Sequence, residues 1–280
     1  AYYTSIKKND MINMFRFHNN IKRNLLQATV KRCGIDNEIT LLDLACGKGG
    51  DIAKWRGVST VVGVDISRDG IENTKDGAYE RYFSSIYENK LYPESQKMYF
   101  LAGDSSKMIS NGKAGMTNDY SKMMRIMWGD KSIAPRSIKQ PNIRDLYGIA
   151  DNKFDIISIQ FAFHYFFKSE QTFNGVLKNI VSNIKDKGYF VGTCFDGNRI
   201  YKKLANIPKG ESISGASKSG DTLWRIKKEY TNAEALAPNG HIKLGTPITV
   251  FMQNFNTMET EWLVDFDYVT EKMEKLGFEL

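Results

Sequence analysis

The stretch TLLDLACGKGGDIAKW, residues 40–55, runs apolar, turns through three glycines and then reads as the start of a helix. A buried strand feeding a glycine turn and a helix is the entry to a nucleotide-type site, because the turn lets a ligand approach the backbone. The full dinucleotide fingerprint needs G-x-G-x-x-G. Gly47 and Gly49 supply the first two glycines, but Ile52 stands at the third, with Gly50 and Asp51 between. The turn is glycine-lined without being a complete pyrophosphate cradle.

The strands that surround this turn follow the same pattern. ITLLDLAC (39–46), TVVGVDIS (60–67), KMYFLAGD (97–104), FDIISIQFAF (154–163) and GYFVGTCF (188–195) read as buried strands. Helices are expected over 11–33, after the glycine turn from Gly50, over 68–90 and over 172–184. Near the end, TPITVFMQNF reads as a strand, ETEWLVDFDYVTEKMEKL (259–276) as a helix, and GFEL as the start of one more strand. Apolar strands alternating with helices predict an α/β fold of Rossmann-like type, a mostly parallel sheet with helices on both faces. Its ligand belongs beyond the carboxyl ends of the strands. Residues 107–150 fit poorly: they are rich in Met, Lys, Ser and Asn, and a connection of that length is either functional or mobile.

The 280 residues suffice for one large α/β domain or two small ones, and a single domain is expected: an N-terminal helical segment (1–38) and a core (39–280) with an insertion near 107–150. No apolar run reaches the ~18 residues of a membrane span, so no membrane partner is expected. The three cysteines are widely spaced, which indicates neither a disulfide framework nor a zinc site, and no metal is expected. A net charge of +7 points to an anionic partner.

Two acids frame the glycine turn. Asp65 ends the second strand, where a carboxylate accepts hydrogen bonds from ribose hydroxyls. Asp43 lies beneath the turn, where a cation or ammonium would offset the cost of a buried carboxylate. A ligand with a ribose, an ammonium and no phosphate meets all three conditions. S-adenosylmethionine is such a ligand.

With these residues in hand, the chain resembles the S-adenosylmethionine-dependent methyltransferases, and among them the mRNA cap guanine-N7 methyltransferases. It looks closest to the C-terminal methyltransferase domains of large DNA virus capping enzymes. The segment FRFHNNIK resembles the family's F-x-N-N-x-x-K, which implies Lys22 near the cofactor carboxylate and sets His18 where cellular members usually carry asparagine. The resemblance assigns Asp43 and Gly47 to the cofactor turn, Asp65 to the ribose, and Asp104 and Ser105 to the adenine side. QFAFHYFF matches the family's Q-F-x-x-H-Y, which implies Gln160 on the cofactor side and Phe161, His164 and Tyr165 around the guanine. ETEWLV resembles P-E-[FY]-L-V and implies Glu261 opposite the guanine N1–H and 2-amino group. Phe195 stands where the family often has proline, in a wall of the cap pocket. The resemblance also implies S-adenosylhomocysteine as product and a capped RNA 5′ end (GpppN) as partner. Triphosphatase and guanylyltransferase domains in the same polypeptide, and a cytoplasmic or virion setting, follow from it as well. The start at Ala1 rather than Met fits a domain excised from a longer enzyme.

Guanine N7 carries a free lone pair, so methylation there needs no general base, and alignment in a fixed polar surround suffices. No catalytic proton shuttle is expected. Lys48, Lys54, Arg56 and Lys202 are candidates for the cap phosphates. Read without the family, Glu261 is a helix first-turn glutamate at the surface, and Phe163, Phe166 and Phe167 are core. The competing functions are a methyltransferase of another acceptor (small molecule or RNA 2′-hydroxyl), a stimulatory methyltransferase-fold subunit, and a nicotinamide-binding protein, which Ile52 disfavours.

Overall fold

The computed structural model describes residues 11–34, 38–88, 96–253 and 257–280. Its helices are α1 (Ile12–Cys33), α2 (Arg68–Glu72), α3 (Ala78–Tyr87), α4 (Asn118–Met127), α5 (Pro141–Arg144), α6 (Phe163–Phe166), α7 (Glu170–Asn183), α8 (Gly197–Leu204), α9 (Asn232–Ala235) and α10 (Phe266–Lys275). Its strands are β1 (Thr40–Asp43), β2 (Thr60–Asp65), β3 (Lys97–Ala102), β4 (Phe154–Gln160), β5 (Ile184–Thr193), β6 (Ser212–Ala216), β7 (Thr222–Lys228), β8 (Pro247–Met252) and β9 (Thr257–Trp262). The chain divides into two compact units, one of residues 22–160 and 174–193, the other of the remaining residues.

The first unit is built on a five-stranded sheet of order β3-β2-β1-β4-β5, parallel throughout. Strand alternation sends Leu41, Val61 and Ile156 to one face, into a core with Leu26 and Val30 of α1, Ile71 of α2 and Ala78 and Tyr82 of α3. Leu42, Val62 and Ile157 alternate with them and are equally buried on the opposite face. The Trp128 indole N–H donates to Asn183 of α7, and its ring lies 6.2 Å from Phe154. The expected parallel sheet with helices on both faces is what forms.

Local outcomes differ from expectation in places. After the glycine turn only a single 3₁₀ turn (Ile52–Lys54) forms, because Trp55 and Val58 are fully buried and draw the chain inward before a second turn closes. The helix expected over 68–90 is two helices. Asn73 caps α2 and its side-chain carbonyl accepts from the Lys75 N–H, an Asx turn that breaks the run. The end of that expected helix, 89–90, lies outside the described residues. The insertion is structured, with α4 and α5 inside it.

The loop after β3 is pinned by α7. Asn179, wholly buried, donates to the carbonyls of Ser105 and Lys107 (2.8 and 2.7 Å) and accepts from the Ile109 N–H (3.1 Å). At Gly175 a β-carbon would collide with the Ser106 carbonyl, so only glycine allows this approach. Asn179→Ala leaves three backbone groups, two of them buried, without their side-chain partner. It is expected to lower unfolding stability by about 2–4 kcal/mol, read by denaturant titration; a loss below about 0.5 kcal/mol would show that water replaces the side chain.

The second unit holds an antiparallel sheet of order β6-β7-β8-β9 that the sequence reading did not include. Its core gathers Leu204, Tyr230, Ala235, Ile242, Ile248 and Leu263. The expected helix over 259–276 is corrected here: Thr257–Trp262 is strand, paired with β8, and the helix starts at Phe266 behind an Asp265 N-cap. The final GFEL forms no strand, since Gly277 (φ +89°) turns the chain out of α10. Among the described residues no helix is long and apolar enough to cross a membrane.

Candidate functional site

In the first unit the sequence-nominated residues gather at the carboxyl ends of β1, β2, β3 and β4. Gly47 and Gly49 take left-handed backbone (φ +54° and +71°), yet they serve different ends. A β-carbon on Gly49 would meet Ile52 Cδ1 at 2.8 Å, so this glycine permits packing, whereas one on Gly47 would meet nothing within 4 Å. Gly47 therefore keeps an open face. Asp65 braces the turn: its two carboxylate oxygens accept from the Gly47 and Ser67 N–H groups, each at 2.8 Å. Burial raises its pKa, and those two bonds work against the rise. A carboxylate offers about four acceptor sites, so two remain for a ligand. Ile66 follows it with 61% of its surface exposed.

Asp43 is 1% exposed, and its carboxyl is pushed up to about 8, by burial first and then by the charge of Asp51. It accepts from the Ala45 N–H at 3.2 Å and lies 3.5 Å from the Ser158 hydroxyl. That hydroxyl accepts from Gln160 Nε2 (3.1 Å), whose Oε1 accepts from Thr193 (2.8 Å). A polar chain thus joins β1, β4 and β5, with Gln160 oriented from both ends. A buried carboxyl with so raised a pKa is a site that gains by receiving a cation.

Lys22 reaches the turn from α1, but its ammonium is 2.6 Å from Asp51 Oδ1, and Lys54 shares that oxygen at 2.8 Å. Lys54 also donates to the Gly50 carbonyl, and Gln27 of α1 donates to the Lys54 carbonyl. The cluster locks the turn against α1. It removes buried Lys54 as a phosphate candidate, and Lys48 is likewise held by Asp76 at 2.8 Å. Asp104 accepts from the Ser106 N–H and hydroxyl and pairs with Lys107, while the buried Ser105 hydroxyl has no partner among the described residues. Arg56 is exposed.

In the second unit, Phe161 opens the segment after β4 in left-handed backbone (φ +54°), a costly state for an aromatic residue and one found where function over-determines the chain. Its ring centroid is 4.7 Å from that of His18. One turn of helix, α6, then packs on β9 and brings His164 to Glu261, Nε2 to Oε1 3.7 Å. That is too long for a hydrogen bond, and His164 Nε2 has no other partner among the described residues. Phe195 stacks on His164 (4.9 Å, 25°), Tyr165 flanks it at 4.2 Å, and Cys194 Sγ lies 3.7 Å from Nδ1.

Burial drives this cluster's protons. Glu261 is pushed up to about 7, by desolvation first and Glu259 second, while His164 is pushed down to about 3 and Cys194 up to about 12 by burial. At neutral pH the cluster is therefore a neutral imidazole, a thiol and one half-ionised carboxyl, walled by rings. Phe163, Phe166 and Phe167 are buried, as expected for core. Lys202 is exposed on α8. Phe195 serves two roles, since it also packs on the core of this unit.

These features carry a cation-seeking acid by an open glycine turn in one unit, and an acceptor among aromatic rings in the other. The model of the mRNA (guanine-N(7))-methyltransferase domain matches residues 2–280. The chain belongs to that family. Relatives of this guanine-N7 methyltransferase domain include a probable mRNA-capping enzyme of Acanthamoeba polyphaga mimivirus, 29% identical over 274 residues, covering 95% of this chain and 21% of the relative. The mRNA cap guanine-N(7) methyltransferase of Caenorhabditis elegans is 27% identical, covering 98% of this chain and 60% of that protein. That of Meyerozyma guilliermondii is 26% identical, with 98% and 44% covered. The domain therefore spans between about a fifth and three-fifths of these relatives. A solved S-adenosylmethionine-dependent methyltransferase from Clostridium acetobutylicum aligns with a TM-score of 0.48 at 13% identity, over 95% of this chain and 87% of its own.

Sequence reasoning missed Ser158, Thr193, Ile66, Asp51 and Cys194. Ser158 and Thr193 sit on strands as ordinary β-formers, and only their pairing across β4 and β5 makes them polar partners. Ile66 did carry a signal, an apolar residue directly after the ribose-type acid.

Proposed function

We propose that this domain transfers a methyl group from S-adenosylmethionine to N7 of the guanine in a GpppN cap, with capped RNA as its macromolecular partner. The observation that carries the proposal is the half-buried Glu261 carboxyl, set beside a His164 Nε2 that has no hydrogen-bond partner among the described residues, with Phe195 and Tyr165 against the imidazole. One carboxylate matches the paired N1–H and N2–H donors of guanine, and a base lacking that pair leaves it desolvated and unmatched. Phe161, Phe195 and His18 supply ring faces for the base, Tyr165 an edge, and His164 a second polar contact.

S-adenosylmethionine supplies an electrophilic methyl and, beside it, an ammonium, a carboxylate and a ribose. The residues fit that group. Asp43 receives the ammonium, and the gain is large because its carboxyl is otherwise costly to ionise. The two remaining acceptor sites of Asp65 take the ribose hydroxyls, Ile66 covers one face of the adenine, and Asp104 with the orphan Ser105 hydroxyl meets its polar edge. Gln160, held by Ser158 and Thr193, fixes the cofactor side of the β4 end. Lys22 acts by holding Asp51 and the turn, and by adding positive charge near the cofactor carboxylate. N7 has no proton to lose, so these groups need only bind, align and exclude water. No residue is assigned as a general base. Triphosphatase and guanylyltransferase activities elsewhere in a longer polypeptide, and a cytoplasmic or virion setting, belong to the same proposal.

Methyl transfer from labelled S-adenosylmethionine to GpppA-capped RNA, followed by nuclease digestion, tests the reading. Label is expected on the cap guanine at N7. Label on a ribose 2′-hydroxyl, or transfer to small amines in preference to RNA, would overturn it.

A further inference from the structure

The insertion contains a surface loop that the methyl-transfer site does not use. Between Asp130 and Tyr147 the chain leaves α4, forms a 3₁₀ turn (Pro135–Ser137) and α5, and returns. The Tyr147 hydroxyl donates to the Asp130 carbonyl (3.2 Å), and the Gly148 and Ala150 N–H groups donate to Ile126 and Met127 carbonyls. Ends closed on each other make this an Ω-loop, a compact form often put to functional use. Ile138, 6% exposed, anchors its middle. Arg125 and Ser132 hold Asp130, whose carboxyl is drawn down to about 2 by the Arg125 guanidinium.

What the loop presents is one sign of charge. Residues 131–144, KSIAPRSIKQPNIR, contain four basic residues and no acid. Lys131, Arg136, Lys139 and Arg144 are all exposed, and none is paired with a carboxylate among the described residues. Ser132, Ser137, Gln140 and Asn142, also exposed, add neutral donors between them. Asp145 and Asp151 lie just outside the run, with Lys153 beyond. A preformed loop with unpaired cations loses little entropy and breaks no ion pair on meeting an anionic polymer, and each phosphate contact releases counterions. It exposes no aromatic ring on which a base could stack, so it suits the backbone rather than the sequence.

We propose that the 131–144 loop binds the phosphate backbone of single-stranded RNA. The proposal rests on the RNA substrate of the proposed function, so the test separates the two. The probe is an uncapped 20-nucleotide single-stranded RNA, whose binding to the full chain is titrated against salt with no methyl transfer involved. Changing Lys131, Arg136, Lys139 and Arg144 together to Gln is expected to weaken binding at least tenfold. It should also flatten the slope of log K against log salt by up to about 3, near 0.7 per lost contact. Replacing Arg136 and Arg144 by Lys is expected to retain both. Methylation of a GpppA dinucleotide, which carries no RNA chain beyond the cap, stays unchanged in the quadruple variant. A control variant, Lys218→Gln with Lys275→Gln, removes exposed charge elsewhere. An unchanged slope in the quadruple variant would overturn the proposal. So would failure of the unaltered chain to bind the RNA, or a per-charge loss as large in the control.

Discussion

Glu261→Gln is expected to lower kcat/KM for capped RNA by about a hundredfold while leaving S-adenosylmethionine affinity unchanged. Hydrogen bonds to a charged group are worth about 1.5–3 kcal/mol each. The amide keeps one acceptor, but sets a donor against a guanine donor in a buried site, and 2.7 kcal/mol, about two decades, is a moderate reading of that exchange. The pH dependence gives a second signature. The Glu261 carboxyl titrates near 7, and only its ionised form accepts two donors. Cap KM is therefore expected to be lowest above pH 7 and to rise as pH falls through it, by up to about tenfold per unit well below. His164, neutral throughout this range, does not contribute to the profile, and neither does the Cys194 thiol. In the Gln variant, with S-adenosylmethionine saturating so that Asp43, raised to about 8, does not enter the profile, the pH dependence of cap KM flattens.

Folding supplies a control with the opposite sign. The folded-state pKa of Glu261 lies above that of an unfolded glutamate, so ionisation destabilises the fold as pH rises from the usual carboxylate range to about 7. Glu261→Gln then leaves the protein at least as stable at pH 8, and lost cap use cannot be traced to unfolding. Equal loss of cofactor binding in this variant would remove Glu261 from a guanine-specific role.

Asp65→Ala is expected to weaken S-adenosylmethionine binding by one to two orders of magnitude, measured by calorimetric titration. The two charge-assisted bonds proposed to the ribose hydroxyls are lost, and the Gly47 and Ser67 N–H groups lose their acceptor, which loosens the open glycine face. Asp65→Asn separates these contributions. It keeps one acceptor oxygen, so it should restore part of the turn while still failing to serve both hydroxyls. Affinity unchanged in both variants would take Asp65 out of the cofactor site and leave it a turn brace.

The α/β class was legible because its signals are local. Leu41-Leu42, Val61–Val64 and Ile156–Ile159 are apolar runs of strand length, and a strand buried on both faces needs little more than that. The glycine turn between Asp43 and Asp65 was legible for a similar reason, since left-handed backbone at Gly47 and Gly49 restricts the residue type. The stretch 257–262 shows where local reading fails. TMETEW alternates only weakly and precedes a true amphipathic helix, so the helical period of 266–275 extends backward through it by eye. Pairing with β8 decides otherwise, and that pairing is a contact between segments, invisible to periodicity.

Taken by itself, then, the sequence determined the parallel sheet, the open turn with its two acids, and the cluster of rings after Gln160. Strand, turn and ring cluster each depend on residues within a few positions of one another, where period and backbone restriction act, and each acid is marked by the end of its own apolar strand. Tertiary structure decided the rest. It put Glu261 on a strand against α6 rather than on a helix surface, spent Lys54 and Lys48 on Asp51 and Asp76, and joined Asp43 to Thr193 through Ser158 and Gln160. These outcomes turn on burial and on partners distant in the chain. A side chain's charge state and its availability to a ligand follow from what surrounds it, and that is known only once the chain has closed on itself.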